Sequence, residues 1–249
     1  MLAALKNPYA TAKLARWLGP WASPANAPTG IVRESRWVPA ISPSDRAFEA
    51  WCYCAPKGPY RGAYLISPGL HFAGPSDLRM DRFCRILASC GFVVVAPFLP
   101  DYTALKVEPE VVGDLARAFD VLASHERVPH GSKPAILSIS FGSMPALRVA
   151  SSPLYRERVG GLVVFGGYAD WRRTVAFAMS GRASGNVRTL AHDPLNQPVI
   201  FINLVESLPG APADASALLA AWRQYVERTW GRPELKLNAA HIAIAREVA

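Results

Sequence analysis

Ser140 is placed to do chemistry by what stands on either side of it. It lies in Ser138-Ile139-Ser140-Phe141-Gly142, after the apolar run Ala135-Ile136-Leu137 and before a helix-forming stretch at 144–150. That order predicts a strand, a one-residue corner and a helix, with the hydroxyl lifted clear and the positive end of the helix behind it. The usual pattern for such a nucleophile elbow is G-x-S-x-G, and here serine replaces the first glycine. The corner draws together the residues two before and two after the nucleophile, so both must be small. Ser138 and Gly142 both are. A serine hydroxyl attacks poorly until a base takes its proton, and imidazole suits that task near neutral pH. The chain has five histidines: His71, His125, His130, His192 and His241.

The elements that would hold such a corner can be read along the chain. Residues 31–38 and 47–54 look like an antiparallel strand pair, and 63–67 reads as a short buried strand closed by Pro68-Gly69. A helix is expected at 77–90, with Leu78, Phe83, Ile86 and Leu87 on one side and Gly91 as its stop. The apolar, β-branched run 92–96 has the character of a central parallel strand. Helical spacing returns at 110–124, followed by the strand 134–140 that leads to Ser140, and then by a buried strand at 159–165. Residues 171–196 are harder to assign, with a helix-like piece at 174–179. A strand is expected at 198–205, a helix at 214–229, a short strand at 234–237 and a helical tail at 240–249. This alternation predicts an α/β fold, a mostly parallel central sheet flanked by helices.

In these features the chain resembles the α/β-hydrolase superfamily, in its serine esterase and lipase branch, from about residue 31 to 170. The corner at Ser140 carries the resemblance, together with the turn Ser67-Pro68-Gly69-Leu70-His71-Phe72-Ala73-Gly74 after the third strand. The resemblance implies an oxyanion hole made by the backbone N–H of Phe141 and that of Leu70 or His71. Such donors contribute about 3–4 kcal/mol each to lowering the barrier. It also implies a base late in the chain. His241 follows the short strand expected at 234–237, whereas His192 sits in a turn before a strand, and His71 suits a pocket wall better than a base. The orienting acid would be Glu206, directly after the strand at 198–205, or Asp170, which could equally cap a helix opening near Trp171.

The implied activity is that of a serine hydrolase acting on carboxylic esters or related acyl substrates through an acyl-enzyme. The other reading is a noncatalytic or truncated member of the fold without a working acid and base. It rests on the alanine- and isoleucine-rich surroundings of His241 and the eight residues after it. The division expected is an N-terminal helix and connector at 1–30 and a hydrolase-like domain at 31–249, with 171–197, or 171–249, as a cap-like insertion. Trp171, Phe177, Met179 and Met144 could line an acyl pocket, or simply pack.

Composition bounds the rest. With 249 residues, 51% of them apolar, the chain can fill a substantial core. A net charge of +8 is spread without a basic run or an aromatic-interleaved stripe, so no nucleic-acid partner is expected. Cys52, Cys54, Cys84 and Cys90 have no zinc-site spacing and read as buried thiols of a reducing, cytoplasmic protein. No metal or organic cofactor is called for, as Gly160-Gly161 and Gly166-Gly167 do not make G-x-G-x-x-G. The first 21 residues lack the unbroken apolar core of a signal peptide and predict a short amphipathic helix that packs on the domain, with a surface membrane anchor as the other reading. No stretch is long enough to span a bilayer, so no stable membrane insertion is expected. The partner expected is a small acyl substrate; oligomeric state is left open.

Overall fold

The computed structural model describes residues 8–168, 170–183, 189–190, 192–235 and 238–249. The chain divides into two compact units, Met1–Thr103 with Glu108–Gly167, and Ala104–Val107 with Tyr168–Ala249. The first holds the sheet: β1 (Val32–Val38), β2 (Phe48–Cys54), β3 (Gly62–Ser67), β4 (Phe92–Pro97), β5 (Ala135–Ile139) and β6 (Gly161–Phe165), in the order β1-β2-β4-β3-β5-β6. β1 and β2 pair antiparallel, as do β2 and β4, while β4, β3, β5 and β6 run parallel. The expected α/β class and mostly parallel sheet are therefore present. Each expected strand of this unit lies within two residues of its predicted bounds.

β3 and β5 are neighbours whose following connections leave in opposite directions. After β3 the chain passes through α2 (Leu78–Ser89) to β4 on one side, and after β5 through α5 (Ser143–Ser151) to β6 on the other. The ends of these strands form a topological switch point, the place where open α/β sheets bind ligands. Right-handed crossovers put α2 on one face and α4 (Val111–Ala123) and α5 on the other. In keeping with that, α2 packs on β2, β4 and α1 (Pro8–Leu18), while α4 packs on α5, β3 and β4. The central strand β4 is buried along Val93, Val94, Val95 and Ala96, as its continuous apolar run required.

Several polar groups inside this unit hold one another. Asp81 on α2 accepts from Arg33 Nη1 at 2.9 Å, Tyr53 Oη at 3.0 Å and Arg85 Nε at 2.6 Å. Burial pushes its carboxyl up, but the bonds from Arg85, Arg33 and Tyr53 outweigh that and hold it below the usual range. The four cysteines are free and buried. His125 Nδ1 accepts from the Arg127 N–H at 3.1 Å, which leaves the ring proton on Nε2, 3.2 Å from Cys52 Sγ. Burial, with Cys54 nearby, pushes the Cys52 thiol up to about 12, so it stays protonated.

The second unit departs from expectation. The run 198–205, read as a strand, is the helix α7 (Gln197–Leu204) after α6 (Trp171–Ser180). Pro198 stands in its first turn, where its missing N–H costs nothing. Val199 and Ile202 are buried, and Asn203 Nδ2 donates to the carbonyls of Val199 and Leu105, both at 2.8 Å. A short, mostly apolar run suits a buried strand and a buried helix equally, and here the helix wins. α8 (Ser216–Thr229) matches its predicted helix. The short strand expected at 234–237 is replaced by a 3-10 turn at Pro233–Leu235, with residues 236 and 237 outside the described set. α9 (His241–Val248) closes the chain. Among the described residues, no helix is long and apolar enough to cross a membrane.

Two measurements test this account of the first unit. Gly113 is exposed within α4, and a Cβ there would meet nothing within 4 Å. Gly113→Ala is expected to raise unfolding stability in urea by about 0.5–1 kcal/mol, because alanine loses less backbone entropy. Asp81 is depressed in the folded state, so its contribution is present above its unfolded value of about 4 and is lost as pH falls below that. Asp81→Asn should cost about 2 kcal/mol at neutral pH and flatten the fall in stability between about pH 5 and 2, read by urea titration at each pH.

Candidate active site

The corner after β5 is built by steric exclusion. Ser140 has φ of 51°, in the left-handed region that a residue with a Cβ occupies only at a cost of about 1–2 kcal/mol. It is exposed, while Ile139 before it is extended and Gly142 after it is helical and buried. Gly142 must be glycine for lack of space. A Cβ there would stand 2.2 Å from the carbonyl oxygen of Ser67 and 2.5 Å from that of Pro68. The same approach lets Ser67 Oγ donate to the Gly142 carbonyl at 2.7 Å. Ser138, in the place of the usual first glycine, is fully buried and donates from Oγ to the Val163 carbonyl at 3.2 Å. Its hydroxyl thus ties β5 to β6.

The turn after β3 lies directly beside the serine. A Cβ on Gly69 would sit 3.4 Å from both Ser140 Cβ and the Ile139 carbonyl oxygen. Leu70 is buried below the turn, and the rings of His71 and Phe72 stack with centroids 4.5 Å apart. The structure thus sets the turn that carries Leu70 and His71 beside the corner at Ser140 and Phe141. The His71 ring is committed to holding the turn. Its Nδ1 accepts from the Ala73 N–H at 3.1 Å, so its Nε2 carries the proton and faces Asp77 Oδ2 at 3.5 Å. Burial keeps this imidazole below its ordinary value despite Asp77, so it is neutral at neutral pH. With no lone pair left to offer, it is not arranged as a base. Asp77 in turn accepts from Arg79 Nη2 at 2.8 Å and caps α2 through the Arg79 N–H.

Two supports of the corner carried no signal in the sequence. Tyr102, in α3 (Pro100–Thr103), donates from its hydroxyl to the Phe141 carbonyl at 2.9 Å, across 39 residues of chain. Ser67 is recognisable only once the parallel register sets it beside Ser138.

The other sequence candidates belong to the second unit. Asp170 caps α6, accepting from the Arg173 N–H at 3.1 Å, and also pairs with Arg173 Nε at 3.3 Å. Glu206 is exposed in the 3-10 turn after α7, where a strand end was expected. His241 is the first residue of α9, so the loop expected around it is a helix start. Its ring lies edge-on to Tyr225, and its Nδ1 hydrogen-bonds the Asn238 carbonyl. A carbonyl can only accept, so the Nδ1 carries the proton and Nε2 keeps its lone pair. His192 lies edge-on to Phe177 on α6, the helix that also carries Trp171 and Met179; Met144 stands on α5 of the first unit.

The corner can be tested apart from any chemistry. Gly142→Ala should lower unfolding stability by about 3 kcal/mol in urea, because both clashing atoms are backbone and cannot swing aside.

Neither a family model nor a curated protein matches the sequence. Solved structures do. The dienelactone hydrolase-like promiscuous phosphotriesterase P91 from metagenomic libraries is 18% identical over 55% of this chain and 60% of its own, with a TM-score of 0.43. The acylaminoacyl peptidase of Pyrococcus horikoshii is 15% identical over 60% of this chain and 25% of its own, with a TM-score of 0.45. Brefeldin A esterase, a bacterial homologue of human hormone-sensitive lipase, is 17% identical over 64% of this chain and 48% of its own, with a TM-score of 0.46. In none of the three does the match reach two thirds of that protein's length.

Proposed function

We propose that this chain is a serine hydrolase that cleaves carboxylic esters or related acyl compounds through an acyl-enzyme on Ser140. The observation that carries the reading is the backbone of Ser140 itself. An exposed serine is held at a φ of 51° where β5 gives way to a helix, at the switch point of the sheet. In this reading the corner is a nucleophile elbow. Ser140 Oγ attacks the acyl carbon as an imidazole takes its proton, and the carbonyl oxygen becomes an oxyanion. We assign its stabilisation to the N–H of Phe141 and that of Leu70 or His71. Collapse of the tetrahedral adduct expels the alcohol, which leaves with the proton returned by the imidazole. Water then attacks the acyl-enzyme by the same route and frees the acid and Ser140.

His241 is the proposed base, supported by the tautomer that its bond to Asn238 imposes. Glu206 is the proposed acid. Asp170 is the weaker choice, since its carboxylate already caps α6. The second reading, a noncatalytic member of the fold, is favoured by one feature: His71, on the turn beside the serine, has both ring nitrogens committed.

A fluorophosphonate probe separates the two readings. Covalent labelling of the wild type should map to Ser140 by mass spectrometry and vanish in Ser140→Ala. His241→Ala should lower ester kcat/KM by about 10²–10⁴, with labelling slowed in step, while His71→Asn retains most labelling. Absence of an adduct on Ser140 in folded protein would sink the hydrolase reading.

A further inference from the structure

The short helix α3 touches both the corner at Ser140 and the turn after β3, through two side chains that are neighbours in sequence. Tyr102 donates from Oη to the Phe141 carbonyl at 2.9 Å. Thr103 meets the end of the turn, where a Cβ on Gly74 would lie 3.2 Å from Thr103 Cγ2. α3 is only four residues long, so its place is set from outside. Arg46, in the connection between β1 and β2, pairs through Nη2 with Asp101 Oδ2 at 2.5 Å. Thr103 Oγ1 donates back to the Pro100 carbonyl at 3.0 Å. Tyr102 itself is 1% exposed, so its ring is held by packing.

The sequence explains why a side chain serves the Phe141 carbonyl. In a helix the carbonyl of residue 141 takes the N–H of residue 145. Position 145 is proline, the third residue of α5, and has no N–H to give. Proline early in a helix usually costs little, because the first N–H groups have no helical acceptor. Here the 3-10 turn Ser140–Gly142 runs directly into α5, so a carbonyl stands where that N–H would have pointed. The Tyr102 hydroxyl occupies the place of the missing donor.

Phe141 is also the residue whose N–H the proposed mechanism assigns to the oxyanion. Its N–H and its carbonyl flank a single Cα, so a bond that pins the carbonyl limits rotation of the residue that carries the donor. The oxyanion develops only in the transition state, and a donor out of line therefore costs turnover more than substrate binding.

We infer that Tyr102 is a positioning residue: by replacing the helical donor that Pro145 lacks, it holds the Phe141 N–H where the oxyanion forms. The inference rests on the reading of Ser140 as the nucleophile.

Steady-state kinetics with a nitrophenyl ester, beside fluorophosphonate labelling, test it. Tyr102→Phe removes only the hydroxyl. It should lower kcat about tenfold with KM changed by no more than about twofold, and labelling of Ser140 should slow in step. Tyr155→Phe removes a hydroxyl of the same kind, bonded to Asp120 on α4 at 2.8 Å, and should leave kcat unchanged. Pro145→Ala supplies an N–H at position 145, so in the Tyr102→Phe background it should bring kcat back to within about threefold of the wild type. Rescue by a backbone donor is a result that loss of packing alone does not give. Wild-type kcat in Tyr102→Phe, an equal loss in Tyr155→Phe, or a loss that Pro145→Ala does not restore each overturn the inference, while labelled wild type leaves the hydrolase reading standing. Should Tyr102→Phe alone not fold, the double variant decides: folded and fast supports the inference, folded and slow overturns it. Absence of an adduct on Ser140 in the folded wild type takes down both.

Discussion

The backbone of Gly142 seats against the carbonyls of Ser67 and Pro68, and most of the candidate site follows from that contact. It is possible only because β3 and β5 are parallel neighbours in a register that sets Ser67 opposite Ser138. With the ends of the two strands level, the chain leaving β5 must turn within one residue to begin α5. Ser140 absorbs that turn in a left-handed conformation. The same contact draws the turn after β3 against the serine, so that Gly69 and Ser140 meet. Ser67 and Tyr102 then bond the carbonyls of Gly142 and Phe141, which leaves little freedom in the corner. Strain at Ser140 persists because these neighbours over-determine it.

How much of this could be read from the sequence depends on how local its cause is. The corner was readable because its requirement, small residues two positions either side of a serine between an apolar strand and a helix, is met within five residues. Ser138 in place of glycine was also intelligible: the position must be small and buried, and a hydroxyl is accepted because the Val163 carbonyl is in reach. Tyr102 could not be read, since its role exists only after β4 and β5 are in place. The run 198–205 reads as a strand because a mostly apolar segment carries no clear period, and the deciding bonds are distant in sequence: Asn203 Nδ2 donates to the Leu105 carbonyl and Asn203 Oδ1 accepts from the Val107 N–H. The histidine context followed it: with no strand at 198–205, neither Glu206 nor His241 sits where strand-end logic put it.

Charge in this chain is used in two ways. In the sheet-bearing unit it is paired and partly buried. Arg117 bonds Asp114 and the carbonyls of Pro39 and Arg46, and Arg46 reaches Asp101, a network that fastens the β1–β2 connection to α3 and α4. Such pairs earn little net stability, because desolvation offsets attraction, but they fix one arrangement of loops. At the N-terminus the cations have no acidic residue within the first 33 positions, so their partners come from farther along the chain: Lys13 donates to the Ser89 carbonyl and Arg33 to Asp81. The composition total of +8 conceals this asymmetry, which emerges only when sequence order and exposure are read together.

The nucleophile and the proton-transfer groups of the proposed mechanism are specified by different physics. Ser140 is fixed by backbone packing, which a short motif encodes and which few substitutions can imitate. A base is fixed by the orientation of one ring, and for His241 that rests on the Asn238 carbonyl at a helix start. A carbonyl sets the tautomer as well as a carboxylate does, since both take the Nδ1 proton as a hydrogen bond. It differs in carrying a dipole in place of a full charge, and so stabilises the imidazolium formed during attack less. The contribution of the proposed acid Glu206 would lie in that step, raising kcat without altering the geometry of the serine. In such a site the corner decides whether an acyl-enzyme can form, and the charge beside the imidazole decides how fast.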